Sequence, residues 1–271
     1  RHLMIISLFL ACAPIAQAIE AVLTAQIDSS IFEESPTNSA GAGPYIFSGV
    51  TSDRAGNNFY LRRGLIQFDI AAALPANAVI NSAELQLTIA KVPDETFIGT
   101  TQSIHRVTSP WDAPTSGGSG TTGPPGRGTA AVANDATWTG NLFGSSSWTT
   151  AGGDYLGSAS ASVGVSPVVN QVTSWSSGGT VTDTQFWLDN PTRNYGWILI
   201  GNEGFTKNAR GYYSSDNTDL AATGNLPRLV INYTVVPEPG ALGLVLGACF
   251  GRLVLGRRVP APHPFLQYST G

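Results

Sequence analysis

The chain has 271 residues, of which 12% are charged and 42% hydrophobic, with 31 Gly, 17 Pro and a formal net charge of −4. That composition favours short strands and many turns over long helices, which draw on Glu, Lys, Leu and Ala. Lys91 and Lys207 are the only lysines, so there is no basic stripe to neutralise a run of phosphates and nucleic acid is not an expected partner.

Met4 to Ala18 reads as an apolar run broken by Pro14 and closed by Ala16-Gln17-Ala18, the small-x-small form that signal peptidase cleaves. This predicts a secretory signal over residues 1–18, too short to be a membrane anchor. Cys12 is the alternative, as a lipoprotein acceptor, but Phe9-Leu10-Ala11 is a poor lipobox and the apolar run continues past it. The second cysteine, Cys249, lies in the other terminal apolar segment. The intervening domain, residues 19–235, therefore has no thiol for a disulfide, a nucleophile or a metal.

Within that domain, Gly64 to Ile70 alternates, with Ile66, Phe68 and Ile70 on one face. Ala83 to Ile89 repeats the pattern after the turn-rich Leu74-Pro75-Ala76-Asn77. Both predict half-buried strands. A further strand is expected at Ile104–Val107. From about residue 113 to residue 157 the chain is rich in Gly, Ser and Thr, and a structureless loop of that length is unusual, so part of it should form an edge strand or a packed loop. Val168, Val172 and Trp175 recur at helical spacing and Gly178-Gly179 follow as a stop, which predicts one short helix. Trp197 to Gly201, apolar on both sides, reads as a central strand. Arg210–Ser215 and Leu229–Val235 complete the set, and the fold class is all-β.

Candidate chemistry is sparse. His105 is the one histidine inside the domain, and Ser103 to Val107 suits a structural strand position better than a catalytic base. The Gly-rich stretches lack the Lys-Ser/Thr ending of a phosphate loop. Asp216-Asn217-Thr218-Asp219 is the densest acidic group. It lacks the EF-hand pattern and reads as a turn, so no metal or cofactor is expected, calcium there being the one alternative. Trp138, Trp148, Tyr155, Tyr212 and Tyr213 stand in loop-like or edge contexts where a sugar ring could stack, the competing reading being that they cover the core. Arg62, Arg63, Arg193 and Arg210 are the local cations that could meet an acidic polymer.

Past the domain, Val236-Pro237-Glu238-Pro239-Gly240 precedes the apolar stretch Ala241 to Gly251, then Arg252, a second apolar stretch and Arg257-Arg258. Two prolines keep the backbone extended before a short hydrophobic helix, and arginines stop it on the cytoplasmic side. The order resembles the PEP-CTERM sorting signal of Gram-negative bacteria, here over residues 236–258 with a tail at 259–271. The resemblance implies that Pro237, Glu238 and Pro239, with Arg257 and Arg258, are recognised by an exosortase, a membrane cysteine transpeptidase of which this chain is a substrate. Arg252 comes early and the tail is long for that pattern.

The domain itself resembles the DNRLRE family. The likeness is carried by Arg63 to Asp69, Leu74-Pro75 to Leu85, His105-Arg106-Val107 with Pro110-Trp111, Val172 to Trp175, Asn194-Tyr195-Gly196, Ala209-Arg210 with Tyr213 to Ser215, and Pro227-Arg228-Leu229. The six-letter string that names the family is absent. The resemblance implies an antiparallel jelly-roll-like β-sandwich, non-catalytic, some relatives being carbohydrate-binding modules. The resulting expectation is a secreted or cell-surface protein that engages extracellular polysaccharide or packs as matrix. The rivals are a glycosidase or polysaccharide lyase with an unrecognised carboxylate or Tyr site, and a purely structural or adhesive coat protein.

Overall fold

The computed structural model of the protein describes residues 17–51, 59–93, 100–113, 126–205, 207–218 and 223–235. Ala16, the sorting residues Pro237, Glu238, Pro239, Arg257 and Arg258, and the apolar run expected to be helical lie outside the described residues, as does Asp219.

The alternation in Ala83–Ile89 belongs to a longer strand, β6 (Ala78–Lys91), the last element of a series that opens with β1 (Ile19–Thr24), β2 (Ile27–Phe32), β3 (Asn38–Ser39), β4 (Tyr45–Val50) and β5 (Leu61–Gln67). Then come β7 (Thr100–Arg106), β8 (Thr129–Ala130), β9 (Ala161–Val165), β10 (Val172–Ser176), β11 (Trp197–Ile200), β12 (Arg210–Tyr213) and β13 (Arg228–Val235). These strands pair antiparallel throughout. The fold is all-β and sandwich-like, as the composition implies, with α1 (Ile70–Ala73) and α2 (Gly178–Asp189) as its α-helices among the described residues.

One sheet is built on β6, which pairs with β13 and β10, and β1 pairs with β13 from Ile19↔Tyr233 to Thr24↔Arg228. The other is built on β5, which takes β2, β4 and β11, with β7 and β9 beyond β11. β12 bridges the two by pairing with both β4 and β6. Between the sheets lies the main core, where Ile66, Ile104, Trp197 and Leu199 meet Leu85, Leu87, Trp175, Leu229 and Ile231.

The β5 sheet is covered on its second face as well. Side chains alternate along a strand, so Leu65 and Ile198 point away from Ile66 and Trp197. There they join Ile31, Val107, Trp111, Trp138 and Trp148 in a second cluster. The described part of the Gly/Ser/Thr-rich segment, from residue 126 on, thus forms a third layer: it contributes β8 and takes part in the isolated bridges Val107↔Tyr155, Asp112↔Asp135 and Leu142↔Ser146. Burial of each Leu or Ile under it contributes about 2 kcal/mol, which is why β5, expected to be half-buried, is closed on both sides, whereas β6 keeps the expected alternation over most of its length.

Two expectations are corrected. The alternation from Gly64 stops at Gln67, because the Asp69 carboxylate accepts the Ala72 N–H at 3.1 Å and turns the chain into α1. Ile70 is still fully buried, but as the first residue of a helix. The second correction concerns the helix read at Val168–Trp175. Val172–Ser176 is β10, with Trp175 opposite Leu85, Thr173 and Trp175 buried and their neighbours exposed. Period two won because the Trp175 indole N–H finds the Gln102 carbonyl at 3.0 Å across the core. Gly178-Gly179 begin a helix rather than end one. Ser177 and Thr180 form a reciprocal capping box, and Ser177 Oγ also donates to the Ser160 carbonyl.

Candidate ligand-binding cleft

Arg63 leaves β5 on the face covered by the third layer, beside Leu65. Its Nε and Nη2 donate to the two carboxylate oxygens of Glu203 at 2.7 and 2.9 Å, and Nη1 donates to the Gly152 carbonyl at 2.8 Å. The guanidinium carbon also sits 5.1 Å from the Trp138 ring centroid and 5.5 Å from that of Tyr155. Burial alone would lower its pKa; the Glu203 hydrogen bonds and charge outweigh that and raise it, so the cation is fixed. The approach needs glycine at residue 152, where φ is +92° and a Cβ would stand 2.6 Å from Arg63 Nη1.

Two residues on, Asp154 closes a loop upon itself. Its carboxylate accepts from the Thr149 N–H at 2.9 Å, the Thr150 N–H at 3.1 Å and the Ser109 hydroxyl at 2.8 Å. Partial burial opposes ionisation, but these bonds prevail and hold the carboxyl below the usual range. Tyr155, half-buried, leans edge-on against His105 with centroids 5.3 Å apart. Together Arg63, Ser109, Thr149, Thr150, Asp154 and Tyr155 line a cleft of about 460 Å³ that opens to solvent. It offers hydroxyls, one fixed cation, one fixed anion and part of an aromatic ring, the groups that hold a polyhydroxylated ligand by hydrogen bonds.

Of the aromatics read as stacking platforms, Tyr155 alone lines this cleft. Trp138, Trp148 and Tyr212 are 8%, 5% and 0% exposed, so of the two readings offered for them they cover the core and present no open face to a sugar. For two of them the polar atom is satisfied inside: Trp148 Nε1 donates to the Thr137 carbonyl and Tyr212 OH to Gln102 Oε1, at 2.8 and 2.7 Å; the Trp138 ring packs on the Arg63 guanidinium. Tyr213 is half-buried on β12, its hydroxyl 3.2 Å from Asn170 Oδ1.

The arginines separate as well. Arg62 points to the opposite face of β5 and pairs with Glu34 at 2.6 Å. Arg210 is fully buried and donates to the Asn208 carbonyl, so it offers nothing to a surface ligand. Arg193 is exposed, its guanidinium 5.4 Å from the Phe186 ring. His105 donates from Nδ1 to the Leu156 carbonyl at 2.8 Å and shares Nε2 with the Ser103 hydroxyl, a strand-tying role. Among the described residues no group of three or more His, Cys, Asp or Glu could hold a metal ion, and no helix is long and apolar enough to cross a membrane.

Asp154, Glu203, Ser109, Thr149 and Thr150 were not singled out by composition or motif. The signal that could have found them is Thr149-Thr150 ahead of Gly152-Gly153-Asp154, a turn in which a carboxylate satisfies upstream amides. Glu203 carries no such local mark. No protein-family model matches the chain, and no curated protein matches it.

Proposed function

We propose that the protein is an exported, non-catalytic surface or extracellular-matrix module that binds polysaccharide through the Arg63–Asp154–Tyr155 cleft. The observation that carries this reading is the cleft itself: polar, open, and furnished with hydroxyls and prearranged charges beside a partly exposed tyrosine. Such groups hold sugar hydroxyls without needing to move. Export is supported by the residue order at both ends, with signal-peptidase and exosortase processing and a β-sandwich of jelly-roll type related to the DNRLRE family.

Chemistry in the cleft favours binding over cleavage. A glycosidase needs a carboxyl that keeps its proton near neutrality, whereas Asp154 is held ionised by three donors and Glu203 is locked in a bidentate ion pair. Asp28, whose pKa is pushed up to about 7, is 1% exposed and out of reach of a polymer.

Retention of the purified chain on immobilised glycans tests the reading. Binding to at least one polysaccharide without release of reducing ends is the expected result. Failure to bind any, or depolymerisation that a substitution of Asp154 abolishes, overturns it.

A further inference from the structure

β1 (Ile19–Thr24) stands at one end of the strand order, and among the described residues β13 is the one strand that pairs with it. α1 also packs against it, Ile70 joining Leu23 in the core. The far side of its backbone is left without a ladder. At the sheet's other margin β10 lies against β9 of the second sheet, so that end is covered.

Most devices that keep an edge from pairing with another chain are missing from β1. Its register with β13 runs unbroken, and the strand holds no proline and no lysine; Glu20 is its one charge. Leu23 is buried and Ala21 packs on the core, so the alternation turns Glu20, Val22 and Thr24 outward. Val22 is 53% exposed and Ile19 42%.

We propose that β1 is a self-association edge, pairing antiparallel with β1 of a second copy of this chain about a two-fold axis at Val22. Residues directly opposite in such a pair share a face, so the axis passes through a residue and not between two. An axis at Glu20 sets two carboxylates side by side, and one at Ala21 sets each Glu20 against a valine. With the axis at Val22 the two exposed valines meet, and Glu20 falls opposite Thr24 of the second copy. Thr24 shares its row with Arg228 of β13, so opposite charges lie along one line across the seam. On the inner face Ala21 meets Leu23, which carries the core across the join. A second copy brings a strand already extended by its own β13, so no ordering cost is added, as it would be for an unstructured peptide.

Full-length protein is sedimented from about 1 µM to about 1 mM, with Val22→Lys and Val172→Lys alongside; Val172 is an exposed valine of β10, at the other margin. The parent is expected to dimerise reversibly in that range and Val172→Lys to match it. Val22→Lys sets two ammonium groups at the axis and should weaken association at least about tenfold. A parent that stays monomeric overturns the proposal. So does association that Val22→Lys leaves intact, which places the contact elsewhere, the terminal apolar segments included. Register is read with single cysteines in a Cys12→Ser/Cys249→Ser background. Val22→Cys should oxidise to a linked dimer, since directly opposite Cα atoms stand about 4.5 to 5.5 Å apart and a disulfide spans that distance; Ala21→Cys should not. Linking at Ala21 instead, or at neither, overturns the axis at Val22. Thermal melting checks folding, and if Val22→Lys fails to fold, the cysteine pair decides.

Discussion

The Arg63 guanidinium lies 5.1 Å from the Trp138 ring centroid while Nε donates to Glu203 at 2.7 Å. One side chain from the middle of the molecule thus fastens the third layer and the loop after β11. Arg63→Ala removes the fork and leaves the largely buried Glu203 carboxylate and the Gly152 carbonyl without their donor, and is expected to cost about 3 kcal/mol. Arg63→Lys restores the charge but not the two parallel bonds, and should recover less than about half of that loss. Urea unfolding measures both; equal stability of Arg63→Ala and the parent contradicts the role.

Acid should stabilise this protein through Asp28. Its carboxyl is 1% exposed, Oδ2 accepts from the Ser215 N–H and hydroxyl at 2.7 Å each, and Oδ1 has no partner. Burial chiefly, with Asp216 adding, raises its pKa to about 7. As pH rises from about 4 to about 7 the unfolded chain sheds this proton while the folded one retains it, so stability falls, by an amount on the order of 3 kcal/mol. Asp28→Asn keeps an acceptor for Ser215 and carries no proton to lose. Denaturation midpoints at about pH 5 and about pH 8 should differ less in the variant than in the parent, and an unchanged difference refutes the assignment.

Gly178 and Gly179 should respond oppositely to alanine. A Cβ at Gly179 would stand 2.3 Å from the Ser160 carbonyl oxygen, whereas one at Gly178 meets nothing within 4 Å. Helix propensity favours Ala over Gly by about 1 kcal/mol in a helix interior. Gly178→Ala should therefore stabilise by about 0.5 kcal/mol, reduced because it sits in the first turn. Gly179→Ala should destabilise by about 2 kcal/mol through displacement of β9's approach. Thermal melting of the pair reads the sign directly.

Tyr155→Ala is expected to weaken glycan binding about tenfold at little cost in stability, since the ring is half-buried at the cleft wall. Trp148→Ala should do the reverse, removing a 5% exposed side chain and costing about 3 kcal/mol. Glycan titration beside urea unfolding separates the two; equal binding by Tyr155→Ala and the parent places the ligand elsewhere.

The strands legible in the sequence are those whose apolar residues alternate or run together, β5, β6, β11 and β13, together with β7 and β12, which overlap the strands read at Ile104–Val107 and Arg210–Ser215. β2 was silent because its interior is polar: Asp28, Ser29 and Ser30 are all buried, satisfied by Ser215, Ser39 and the Phe47 N–H. In β4 the pattern is broken by Ser48, whose hydroxyl donates to the Leu199 carbonyl, and by Gly49 at φ +115°. Arg63 and Tyr155 were visible as candidates, but their convergence with Asp154 and Glu203 depends on pairing between segments far apart in the chain. The same long-range packing buried Trp138, Trp148 and Tyr212, whose neighbours in sequence look like loop.

β1 and β13 zip together residue for residue from Ile19↔Tyr233 to Thr24↔Arg228. A polypeptide delivered from its amino end therefore holds its first strand without a mate until nearly the whole domain has emerged, and every earlier assembly retains an open margin on β6. Completion waits for the last segment to arrive, a sequence of events that keeps the molecule from locking shut while the chain is still being synthesised.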